Sequence, residues 1–146
     1  MINEFLDAVT SSVASQVSAL CKDVEKHPGR FTEEELVRVA TKSRAVRVAV
    51  EDILEVKVSG MGKKSYRLLM AAFIICSDKA GPDRTESAIE IAEKLISVLP
   101  RNRWDSQDYQ PVLEASINAQ NLYNGEINRK GVAMWAVTWH QTINGQ

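Results

Sequence analysis

Ala45-Val46-Arg47-Val48-Ala49-Val50, then Ile53-Leu54-Glu55-Val56-Lys57-Val58, then Ser59-Gly60-Met61-Gly62-Lys63-Lys64, is the stretch that settles the class of fold. Val46, Val48 and Val50 alternate with Ala45, Arg47 and Ala49, and Leu54, Val56 and Val58 carry the pattern on with Glu55 and Lys57 opposite. A period of two predicts extended chain, as one strand kinked at Glu51-Asp52 or as two short ones. The Ser59 to Lys64 segment supplies turn residues. Beyond it, Tyr66 to Ser77 is apolar almost throughout, as a central strand covered on both faces would be.

Outward from this hairpin the period changes to that of helices. Upstream, Ile2, Phe5, Leu6, Val9, Val13, Val17, Leu20 and Val24 recur at steps of three and four, which predicts one long amphipathic helix. Its serines and valines form helix poorly, so packing has to hold it. Lys26-His27-Pro28-Gly29-Arg30 ends it. Thr32 and Glu35 have the spacing of a capping box, so a short helix is expected from there to about Lys42. Downstream, Gly81-Pro82 marks a loop, and Asp83 or Thr85 can cap a helix that buries Ala88, Ile91, Ala92, Leu95, Ile96 and Leu99 before Pro100 stops it. A polar connection leads to two further strands. One has Leu113, Ala115, Ile117 and Ala119 inward and Glu114, Ser116, Asn118 and Gln120 outward. After Asn124-Gly125, the other alternates Ala133, Trp135, Val137 and Trp139 with Met134, Ala136, Thr138 and His140. The order helix-helix-strand-strand-helix-strand-strand predicts an α+β fold, a mainly antiparallel sheet of about four strands with two to three helices packed on it.

A chain of 146 residues is the size of one domain, so residues 1–146 are read as a single core. The formal charge of -1 supplies no global field to draw the chain onto nucleic acid or an anionic membrane. Cys21 and Cys76 have no ligand spacing and read as reduced, buried thiols. No basic segment precedes an apolar one, so no secretory leader is expected. The longest apolar run, Leu68 to Cys76, is far short of the roughly 18 residues a membrane span needs.

Motifs that would carry chemistry do not form. Gly60-Met61-Gly62-Lys63-Lys64-Ser65 lacks the early glycine of a phosphate loop, has Lys64 between lysine and hydroxyl, and leads into a strand rather than a helix. His27 and His140 read as separate surface histidines, and Asp105, Asp108 and Glu114 as solvated acids. No serine elbow occurs, and neither cysteine has a histidine partner. The expectation is a protein without catalytic, cofactor or metal residues.

Three aromatic and several basic residues ask for a role. Trp135 and Trp139 share a strand face with Val137 between them and read first as core. Lys63 and Lys64, Arg101 and Arg103 beside Trp104, and Arg129 and Lys130 all fall in expected turns, where they are candidates for subunit contacts. Gly131-Val132-Ala133-Met134-Trp135-Ala136-Val137-Thr138-Trp139-His140-Gln141, with Asn121-Leu122-Tyr123 before it, resembles the C-terminal hairpin of the Mu-like phage tail-terminator family. The element order elsewhere is also similar, except that Arg44 stands where the family tends to carry proline. The resemblance implies a subunit that forms a ring with copies of itself, a hexamer in related terminators, at the head-proximal end of a tail. Its partners would be the tail tube protein and the head connector protein, with no membrane and no sequence-specific nucleic acid binding. It would assemble in the host bacterial cytoplasm and persist in the virion tail. The alternatives are another head-tail neck or completion protein, and a small ligand-binding domain or enzyme using the polar face of strand 113–120.

Overall fold

The computed structural model describes residues 1–40, 43–78, 83–122, 125, 127 and 131–145, with Ala40 described by its backbone alone. The elements run α1 (Ile2–Gln16), β1 (Val24–Lys26), α2 (Glu33–Ala40), β2 (Arg44–Val58), β3 (Lys64–Ser77), α3 (Arg84–Val98), β4 (Asn118–Asn121) and β5 (Val132–Asn144). The strands form one five-stranded sheet in the order β1-β2-β3-β5-β4, antiparallel throughout except for the parallel β1/β2 pair. The fold is α+β as the periodicity predicts, with one strand more than expected.

Both faces of the sheet are covered. On one, α1 lays Phe5, Val9 and Val13 and α3 lays Ala88, Ile91 and Leu95 over Val46, Val48, Met70, Ile74, Val137 and Trp139. On the other, Leu36 and Val39 of α2, with Ile127, cover Ala45, Ala49, Ala71, Phe73, Ile75 and Met134. β3 lies between, which is why Leu68 and the run Met70–Ser77 are buried without alternation.

Three expectations need correction. The first helix stops at Gln16 rather than reaching Val24; its end tightens, with the Leu20 and Cys21 amides both donating to the Val17 carbonyl, and Val24 pairs with Val46 as edge strand. The step from Leu20 to Val24 mimics helix, but Asp23 is held by a buried guanidinium, a tertiary contact that a helix there would forgo. The expected strand over 113–120 shrinks to Asn118–Asn121. Glu114–Ser116 is a 3-10 turn, and Ser116 Oγ accepts from the His140 amide at 2.7 Å in place of a ladder bond. The capping box is half made: Thr32 accepts from the Glu35 amide at 3.2 Å, but the Glu35 carboxylate goes to His27 instead of returning to the cap.

Asp83, the stronger of the two anticipated caps, accepts from the Thr85 amide at 2.8 Å and the Glu86 amide at 3.4 Å. Asp83→Ala is expected to cost about 1 kcal/mol, measured as a lowered urea midpoint with unchanged slope. A loss below a tenth of that would mean the cap is idle.

Candidate assembly surface

The kink anticipated at Glu51-Asp52 is real. β2 shifts register against β3 between Val50 and Asp52 and again between Ile53 and Glu55, so Glu51 and Leu54 are extra residues without a rung on β3. Between and beyond the bulges Ile53, Val56 and Val58 pair with Leu68, Tyr66 and Lys64. They therefore continue, on the α1/α3 side, the row that Val46 and Val48 start. Although apolar and alternating with Glu55 and Lys57, the two valines are exposed: Val56 by 53% and Val58 by 61%.

The reason is length. A strand rises about 3.4 Å per residue and a helix 1.5 Å. β2, α1 and α3 each have 15 residues, so the strand is more than twice as long as the helices that cover it. The excess is an overhanging hairpin whose apolar row nothing in the chain covers among the described residues. Met61 at its tip is 87% exposed.

The tip is built by Ser59. Its amide donates to the Lys63 carbonyl at 2.8 Å, its carbonyl accepts from Gly62 at 2.9 Å, and its hydroxyl accepts from the Met61 and Lys63 amides. Gly62 adopts φ +77°, a backbone conformation that favours glycine. Lys63 and Lys64 are exposed here, next to the apolar row. Lys64 also receives the Gly145 amide on its carbonyl, which joins the tip to the end of β5.

The other candidate contacts lie elsewhere. Arg101 and Arg103 are exposed in the loop after α3, where Arg101 faces Glu114 at 3.4 Å and Arg103 donates to Gln107 at 3.3 Å. Trp104 is not on the surface. Its indole is buried against Trp139 and donates to Gln141 Oε1 at 2.8 Å, while the backbone takes the left-handed conformation at Arg101, Trp104 and Asp105. Trp139 is wholly buried and Trp135 partly so, in line with a core role. Arg129 and Lys130 lie outside the described residues, as does Asn124 of the expected turn. Glu114, Ser116, Asn118 and Gln120 do not form a single polar row, because the first two belong to the 3-10 turn.

His27 departs from its reading as a surface histidine. It is buried, stacked on Phe31 at 4.0 Å, and its Nδ1 accepts from the Gly29 amide at 2.9 Å. Nε2 therefore carries the proton and donates to Glu35 Oε1 at 2.5 Å. The sequence signal was Gly29, at φ +99°, two residues on, which lets the backbone turn back onto the ring. Arg47 was also missed: its guanidinium is buried and grips Asp23 through both nitrogens at 3.0 and 3.1 Å.

Cys21 and Cys76 are free and buried, as expected. Burial pushes the Cys76 thiol up to about 12 and raises Cys21 as well. Both thiols stay protonated at pH 8, so native protein should resist iodoacetamide at that pH and take up two equivalents once unfolded in urea. Rapid native labelling of either cysteine would contradict this.

Among the described residues no group of three or more His, Cys, Asp or Glu is placed to hold a metal ion, and no helix is long and apolar enough to cross a membrane. No protein-family model and no curated protein sequence matches the chain.

Proposed function

We propose that the chain is a structural assembly subunit, without catalytic activity or cofactor, that closes into a ring with copies of itself and caps the tail tube of a phage or prophage. The ring stops tube growth and offers a surface to the head connector. The hexamer, the tube and connector partners, and assembly in the host bacterial cytoplasm come from the resemblance of the Gly131–Gln141 stretch. The physical observation that carries an assembly role is the overhanging hairpin. Ile53, Val56, Val58 and Met61 are exposed together, beside Lys63 and Lys64. Clustered apolar side chains with a basic rim mark a protein contact more often than free surface.

A cap must fit the growing face of a polymer built on repeated heterologous contacts and must not present the continuing face. A projecting hairpin can enter the last layer of a tube while the helix-covered body stays outside. Lys63 and Lys64 would then meet acidic groups on the tube, with Arg101, Arg103, Arg129 and Lys130 as further candidate contacts.

The test adds purified chain to polymerising tail tube protein and measures tube lengths by electron microscopy. Capping should shorten the tubes and leave rings at one end. The double variant Val56→Lys/Val58→Lys should weaken tube binding at least about tenfold, since two apolar anchors are lost. Its own stability should change by no more than about 0.5 kcal/mol, because both positions are exposed. Unaltered tube lengths, with the chain recovered on heads, would replace the cap with a neck or completion protein.

A further inference from the structure

β2 is nearly the sheet's edge, because β1 pairs only with Val46 to Val48. Beyond that, the His27 amide reaches the Val48 carbonyl, and then the outer side of β2 is open. No backbone group of the described residues bonds the outward amides and carbonyls from Leu54 to Val58. Which groups point outward follows from the turn. The Ser59 amide donates to Lys63 O, so Ser59 faces β3 with its hydrogen-bonding groups. In an antiparallel ladder these positions alternate. Lys57 and Glu55 therefore also turn theirs toward Ser65 and Arg67, while Val56 and Val58 turn theirs out.

An open edge can pair with any extended chain, and natural proteins blunt such edges with bulges and charges. β2 has two bulges, but both lie before Glu55. From Glu55 to Val58 the strand is regular and half apolar, with Val56, Lys57 and Val58 exposed and Glu55 partly so. Its sequence has a second property. Leu54-Glu55-Val56-Lys57-Val58 is symmetric about Val56 in apolar character and antisymmetric in charge.

We infer that a second copy of this chain pairs with this edge, antiparallel, about a two-fold axis at Val56. In that register Val56 exchanges both backbone hydrogen bonds with the partner copy's Val56. Within the regular stretch, Glu55 lies opposite Lys57 twice. The neighbouring registers are disfavoured by charge. Centring on Glu55 sets two carboxylates face to face, and centring on Lys57 sets two ammonium groups so; like charges directly opposite destabilise a pair. Glu55 and Lys57 already share a face, at 3.2 Å from each other within the strand, so the four charges of two copies would form one alternating square. The inference rests on the edge and its charges and holds whether or not the chain caps a tail.

The experiment is sedimentation velocity over a concentration series reaching the high micromolar range, with circular dichroism to confirm folding. Wild-type chain should populate a species of twice 16.3 kDa, or an even-numbered assembly that contains it, as concentration rises. Lys57→Glu alone and Glu55→Lys alone should each weaken self-association about tenfold or more, because two attractive pairs become repulsive. An equimolar mixture of those two variants should associate as wild type does, and so should the double swap Glu55→Lys/Lys57→Glu. Monomer at every concentration overturns the inference. So does undiminished dimer in Lys57→Glu, or a mixture no stronger than its parts. Tube capping that survives in Lys57→Glu would separate this dimer from the tail reading, and loss of capping in a variant that still dimerises would do the reverse.

Discussion

Gln141→Leu is expected to destabilise the protein by about 3–5 kcal/mol. The side chain is buried and uses its whole hydrogen-bonding capacity. Oε1 accepts from both indoles, Trp104 Nε1 at 2.8 Å and Trp139 Nε1 at 3.2 Å; Nε2 donates to Gln110 O at 2.8 Å and Asn102 O at 3.2 Å. Leucine fills a similar volume but strands the two indole donors and the Gln110 carbonyl, while the Asn102 carbonyl keeps the Val112 amide at 3.0 Å. Each buried group left without a partner costs about 1–3 kcal/mol, and some will find water. The measurement is urea unfolding followed by tryptophan fluorescence. A loss under 1 kcal/mol would mean the loop carrying Trp104 relaxes freely and the node is not a single unit. A double-mutant cycle with Trp104→Phe sharpens the test, since groups sharing a network should be non-additive.

Asp23→Ala is expected to cost about 3 kcal/mol, because it takes from the buried Arg47 guanidinium the one carboxylate in close contact with it. Beyond the two Asp23 oxygens, that group reaches the carbonyls of Asp23 and Val46 and, at 3.7 Å, the exposed Glu25. The double variant Asp23→Ala/Arg47→Met should recover most of the loss, since a pair of charges removed together takes its desolvation penalty with it. If the double variant were less stable than Asp23→Ala, the guanidinium would be holding the β1 edge through the backbone carbonyls rather than through the carboxylate. Chemical denaturation of the three proteins at one pH decides the matter.

These two nodes show where reading the sequence succeeds and where it stops. The central hairpin, its kink and its turn are legible because they depend on period, on Gly62 and on Ser59, all local. Asp83 is legible as a cap for the same reason. β1 is not, since Val24 keeps helical step with Leu20, whereas in the fold it pairs with Val46 while Asp23 meets Arg47. The run from Leu113 to Gln120 alternates convincingly but yields to Ser116 bonding the His140 amide. Of the candidate contacts, Lys63, Lys64, Arg101 and Arg103 are exposed as turn residues should be, while Trp104 turns inward because Gln141 offers its indole a partner. The apolar overhang could not be read, because whether Val56 is covered depends on comparing strand and helix lengths across the fold.

The pairing of β3 with neighbours from opposite sides in sequence sets the order in which the sheet can form. β2 and β3 meet across five residues, Ser59 to Lys63, whereas β5 joins β3 only after the 54 residues between Ser77 and Val132 have been closed into a loop. The entropy of closure, growing as (3/2)RT ln n, makes the second step dearer by about 2 kcal/mol. The hairpin is therefore the natural nucleus, and the search by β5 for its place sets the folding rate. Until it arrives, β3 has one bare edge and Met70, Phe73 and Ile74 lack their neighbours on β5, so that edge stays open to other nascent chains during the interval.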